Sequence, residues 1–167
     1  MATLSDHTER TALTRFGVVA SRFHEEVCKD LLTGCIARLE EAGIASNEIE
    51  VVRVPGAFDI PFACQALANQ GGFVALVALG CVVRGETSHF EYVAGECARG
   101  VMEVGIATGI PIAFGVLTAD SIEQAKIRSD VNALVGSDTG KSQKEVRPSN
   151  KGWEAAEAAL ELAAIIK

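Results

Sequence analysis

Residues 73–83 read FVALVALGCVV, eleven positions without a charged or strongly polar side chain. A run of that length is too short to span a bilayer as a helix, which takes about 20 apolar residues. Gly71-Gly72 stands before it and Arg84-Gly85 after it, so it reads as one extended strand. A strand apolar at consecutive positions has to be covered on both faces. That is the situation of a parallel sheet enclosed by helices, not of a sheet with one wet side.

The flanking sequence supplies those helices. FGVVAS (16–21) reads as another buried strand, and residues 24–42 follow it as a helix with Val27, Leu31, Cys35 and Leu39 at four-residue spacing, stopped by Gly43. IEVVRVPGA (49–57) reads as a strand closed by Pro55-Gly56, with a helix from about Asp59 to Asn69. Beyond the 73–83 strand come a helix over 88–108, a strand over 111–118, a helix starting near Asp120-Ser121 and an alanine-rich helix over 150–166. Alternating strands and helices predict a three-layer, doubly wound α/β fold. In such folds ligands gather at the C-terminal strand ends. The polar punctuation falls there: SRFH, VPGAFD, VRGETSH and FGVLTAD. Two segments stand outside the pattern. Residues 1–13 read as a loose polar arm, and 129–149, broken by Gly136, Gly140 and Pro148, as an inserted loop in a single domain.

Charge narrows the partners. The net charge is −7 over 167 residues, without a lysine- or arginine-rich block, which argues against nucleic acid and anionic membrane. An anionic substrate would therefore be held by local donors against the field of the whole molecule. Cys28, Cys35, Cys64, Cys81 and Cys97 form no CxxC pair and read as small buried hydrophobes in a reducing compartment. With no signal-peptide or transit-peptide pattern, a cytoplasmic protein is expected. No HxH, HExxH or Cys/His cluster suggests a metal, and neither GxGxxG nor GxxxxGK[ST] is present. The chain is short for an enzyme with its own lid domain, which points to a site shared between subunits.

The chemistry concentrates at 85–91. Ser88 followed by Glu91 is a capping-box pattern, so a helix is expected to start there. Its unpaired backbone N–H groups and the Thr87 hydroxyl would hold an anion. His89, in the first turn, would then be a proton-transfer group working near neutral pH. Asp59 suits a helix N-cap and could also hold polyol hydroxyls. Phe23, on the same rim, offers a stacking face for a heteroaromatic ring. Phe114 reads as a half-buried strand residue, Arg128 and Lys151 as candidate cations, and Glu154, Glu157 and Glu161 as a solvated helical stripe.

Four stretches, VPGAFDIPFA, ALGCVVRGETSHFEYV, GIPIAFGVLTADSIEQA and NKGWEAAEAALELA, resemble the lumazine synthase family over about residues 15–128 and 150–166. The resemblance implies a flavodoxin-like sandwich with a four-stranded parallel sheet. It implies condensation of 5-amino-6-(D-ribitylamino)uracil with 3,4-dihydroxy-2-butanone 4-phosphate to 6,7-dimethyl-8-ribityllumazine, phosphate and water, without cofactor or metal. It also implies pentamers with active sites between neighbouring subunits. Carried over residue by residue, Phe23 matches the ring-stacking position, and Ala57, Phe58 and Asp59 the segment holding the ribityl chain and pyrimidine. Cys81, Val82 and Val83 match the strand end that contacts the pyrimidine through its backbone. Glu86 and Thr87 match the phosphate loop, His89 the proton-transfer histidine, Phe114 a pocket wall, Arg128 the phosphate-binding arginine and Lys151 a lysine near the site.

The chain departs from the family pattern at three places. His24 stands where the family usually has Asn, Asp59 where it usually has Glu, and the 129–149 insertion is longer than the tight junction of shell-forming members. The expected assembly is accordingly a pentamer or decamer. A flavin- or lumazine-binding storage protein, or a structural assembly protein, is the competing reading on the same fold.

Overall fold

The computed structural model describes residues 15–132 and 150–166. The arm over 1–13 and most of the 129–149 insertion lie outside the described residues. Four strands form one parallel sheet: β1 (Arg15–Ser21), β2 (Ile49–Val54), β3 (Phe73–Val83) and β4 (Ile112–Ala119), in the order β2-β1-β3-β4. Five helices accompany them among the described residues: α1 (Glu25–Glu41), α2 (Ile60–Gln70), α3 (His89–Thr108), α4 (Ile122–Ser129) and α5 (Lys151–Ile165). This is the flavodoxin-like three-layer sandwich expected from the alternation.

β3 is central and pairs on both edges, Val77 standing opposite Val18 of β1 and Ala113 of β4. Its two faces feed two apolar layers. Ala75, Val77, Leu79 and Cys81 pack with α1, α4 and α5. Leu76, Ala78 and Val82 pack with α2 and α3. This double burial is the reason the run carries no polar residue. The helix α1 buries the anticipated stripe of Val27, Leu31, Cys35 and Leu39. It ends where Gly43 takes a left-handed φ of 89°, a conformation glycine adopts without a Cβ clash.

The sequence overextends β2. The strand stops at Val54, and Ala57–Asp59 turns as a single 3₁₀ helix leading into α2. The Asp59 carboxylate explains the break, because it accepts the Gly56 N–H at 2.9 Å and folds the chain back on itself.

Candidate active site

All four parallel strands deliver their C-terminal ends to one edge of the sheet, and the loops leaving β1, β2 and β3 build a cavity there. Arg22 N–H donates to Val54 O at 2.8 Å and Phe23 N–H to Pro55 O at 3.0 Å, so the loop after β1 is fastened to the loop after β2. The Cys28 thiol donates to the Phe23 carbonyl at 3.2 Å. These bonds set the Phe23 ring at the cavity mouth, where it is 66% exposed.

The cavity measures about 390 Å³. Phe23, Ala57 and Phe58 line it from the first two loops; Cys81, Val82, Val83, Thr87 and His89 line it from β3 and the turn after it. Eight of the thirteen residues singled out in the sequence therefore meet at one place. Phe90 and Val93 complete the wall. Sequence reasoning passed over both, although their spacing with His89 on one side of α3 could have revealed them. Asp59 and Glu86 are exposed and lie outside the lining.

Phe114, Arg128 and Lys151 line a second cavity of about 360 Å³, between β4, the end of α4 and the start of α5. No residue lines both cavities. Arg128 turns back to donate to Gln124 O at 3.1 Å. Lys151 Nζ stands 2.6 Å from Glu154, which also lines this cavity. Glu154 and Glu157 are thus not a solvated stripe: the first pairs with Lys151 and the second with Arg38.

The start of α3 differs from the capping-box reading. Ser88 occupies the N-cap position without a side-chain cap hydrogen bond. Thr87 Oγ1 accepts the His89 N–H at 3.4 Å instead. Glu91 is drawn away by Arg84, whose guanidinium bonds Glu91 and, through Nε at 3.1 Å, Asp120 after β4. The same guanidinium lies 4.4 Å from the Phe90 ring centroid. Its hydrogen bond holds the Glu91 carboxyl below the usual glutamate range. Sequence reasoning missed Arg84; its place directly after the apolar strand was the available signal.

Cys81 is 2% exposed, and burial pushes its thiol up to about 12. It shapes the cavity as a neutral wall and is not a thiolate nucleophile. Among the described residues no cluster of three or more His, Cys, Asp or Glu could hold a metal ion. No helix among them is long and apolar enough to cross a membrane.

A doubly wound parallel sheet with a histidine-bearing cavity at its C-terminal edge defines an α/β enzyme acting on a small molecule. The family description 6,7-dimethyl-8-ribityllumazine synthase matches residues 13–167, and the chain belongs to that family. Its activity is that of a transferase of riboflavin biosynthesis, forming 6,7-dimethyl-8-ribityllumazine.

Proposed function

We propose that the cavity of Phe23 and His89 binds the ribitylaminouracil, and that the site is completed by Phe114, Arg128 and Lys151 of a neighbouring copy. The carrying observation is the division of these residues between two cavities of one chain. Neither cavity alone brings a proton-transfer group together with the candidate phosphate cations. A homopentamer supplies each cavity with its complement, and the segment over 129–149 favours a pentamer or decamer over a closed shell. Light scattering on the purified protein checks this; a megadalton particle overturns it. The chain acts as a single domain in the cytoplasm, in keeping with five buried, unpaired cysteines.

Each group has a task. Phe23 stacks on the pyrimidine, and the backbone of Cys81, Val82 and Val83 reads its polar edge. Ala57, Phe58 and Asp59 receive the ribityl chain. Asp59 accepts Gly56 N–H with Oδ2, which shapes the Gly56–Phe58 turn and leaves Oδ1 to accept from the polyol. The substrate amine attacks the ketone and one water leaves as the imine forms; phosphate departs; the ribityl-bearing nitrogen then attacks the remaining carbonyl, and a second water leaves as the ring closes. His89 moves the protons these steps require. Arg128 and Lys151, with the loop over Glu86 and Thr87, stabilise the charge on the leaving phosphate. Holding two substrates in register supplies much of the remaining acceleration.

His89→Ala should lower kcat by about 10²–10⁴ with the assembly intact. Full activity in that variant overturns the role of His89. Arg128→Ala should chiefly raise KM for the phosphorylated substrate, and an equal rise for both substrates counts against a phosphate role. The storage and structural readings are disfavoured by the family match, and appearance of the fluorescent lumazine product from the two substrates separates them from the enzyme.

A further inference from the structure

Arg84 closes the strand that carries the cavity floor and opens the turn that leads to His89. Three elements meet on it. Its backbone N–H donates to Ala119 O at 2.9 Å, continuing the β3–β4 pairing beyond the last strand residue. Its Nε donates to Asp120 at 3.1 Å, fastening it to the segment after β4. A terminal nitrogen bonds Glu91 in the first turn of α3, and the guanidinium covers Phe90, which lines the cavity.

The opening of α3 otherwise has weak anchors. Ser88 makes no side-chain cap bond, the Thr87 contact is long at 3.4 Å, and Gly85 has no atom within 4 Å of where a Cβ would stand. Phe90 and Glu91 lie one and two residues from His89, so fixing them fixes the azimuth and depth of the imidazole. An arginine fork suits this better than a lysine. It can bond two carboxylates in fixed directions while stacking its planar face on a ring.

We propose that Arg84 is a positioning residue for lumazine formation, which clamps the first turn of α3 to the end of β4 and thereby holds the His89 imidazole against the bound pyrimidine. The proposal rests on the reading of His89 given above. Arg84 touches no reacting atom in this scheme. Its loss displaces the imidazole, and displacement of the order of 1 Å can cost up to about 10²-fold in rate.

The test is a double-mutant cycle on the intact assembly, with steady-state kinetics for each substrate. Arg84→Ala should lower kcat about 10-fold to 100-fold while KM for each substrate changes less than about threefold. Arg84→Lys, which keeps the charge but loses the fork, should recover only part of that. In the His89→Ala background, adding Arg84→Ala should slow the reaction no further, because the group it positions is gone. A further multiplicative loss in that background overturns the proposal. So does a selective rise in KM for the phosphorylated substrate, which would make Arg84 a direct phosphate ligand. A lowered melting temperature with unchanged kcat leaves Arg84 a structural clamp and overturns it also. If His89→Ala is itself fully active, the histidine reading fails, and that result is separate from the behaviour of Arg84.

Discussion

At φ 57° and ψ 54°, His24 is the one non-glycine with left-handed backbone among the described residues. Asn, Asp and His tolerate that region far better than branched side chains. This accounts for a histidine where the family usually has Asn: both satisfy the same backbone demand. The imidazole packs edge-on to Phe23 with 4.6 Å between ring centres. His24→Asn should therefore leave stability nearly unchanged near neutral pH, whereas His24→Val should cost about 1–2 kcal/mol, read as a lower melting temperature. Burial lowers the His24 pKa. The unfolded chain then takes up more protons than the folded one as pH falls below about 6.5. His24 accordingly subtracts stability in that acid window and not above it. His24→Asn should hold its melting temperature better than the parent on going from pH 7.5 to 5.5; equal losses overturn the sign. The thiols give a second check. Burial raises Cys35, Cys64 and Cys81 to about 12 and Cys97 to about 11. At pH 8 iodoacetamide should label the native protein far more slowly than the unfolded one, and rapid labelling of Cys81 in the native state would contradict its role as an inert wall. Burial of all five cysteines was readable from their apolar surroundings. The left-handed backbone of His24 was not, because a histidine before a helix carries no local sign of φ.

The elements were legible to within a few residues wherever apolar periodicity was strong, as in β3 and α1. Legibility failed where a side chain had two suitors. Ser88 and Glu91 spell a capping box, but Arg84 offers Glu91 a charged partner from another element, and an ion pair reinforced by Asp120 prevails over a backbone N–H. The start of α5 shows the same non-local control. Asn150 is fully buried; its Oδ1 accepts Trp153 N–H at 3.0 Å, and its Nδ2 donates to Asp30 O at 3.2 Å and Ser129 O at 2.8 Å. One amide thus caps α5 and ties it to α1 and to the end of α4, beside Lys151 and Arg128 of the second cavity. Gly34 and Gly152 make this approach feasible: a Cβ at Gly152 would stand 1.9 Å from Leu31 O. Asn150→Ala should destabilise by about 2 kcal/mol, combining a lost cap with the loss of the donor to the buried Ser129 carbonyl. Asn150→Asp keeps the capping oxygen but replaces the donor by a buried charge facing two carbonyls, so it should melt no higher than the alanine variant. A melting temperature near the parent for Asn150→Asp would show that the cap alone matters.

On the scale of the whole molecule, the sequence carries an ambiguity that one chain cannot resolve. The proposed scheme draws on the motifs around His89 and on those around Arg128 and Lys151, yet they line separate cavities. Large apolar side chains stay uncovered: Phe58 of the His89 cavity is 61% exposed, and Met102 at 64% and Ile106 at 76% line a further apolar cavity that shares Phe114 with the second one. A neighbouring copy covering them would also carry the second half of each site across the interface. Sequence periodicity marks such positions as apolar but cannot say whether the cover is intramolecular. Complementation can. His89→Ala and Arg128→Ala should each be nearly inactive as pure assemblies. Co-expressed in equal amounts, they should form mixed rings in which a site is intact whenever an Arg128→Ala chain lends its His89 and a His89→Ala chain lends its Arg128. For random assembly around a cyclic oligomer that is about a quarter of the sites, so activity should return to roughly that fraction of the parent. If each site were built within one chain, every site would still carry one of the two lesions, and mixing would restore nothing.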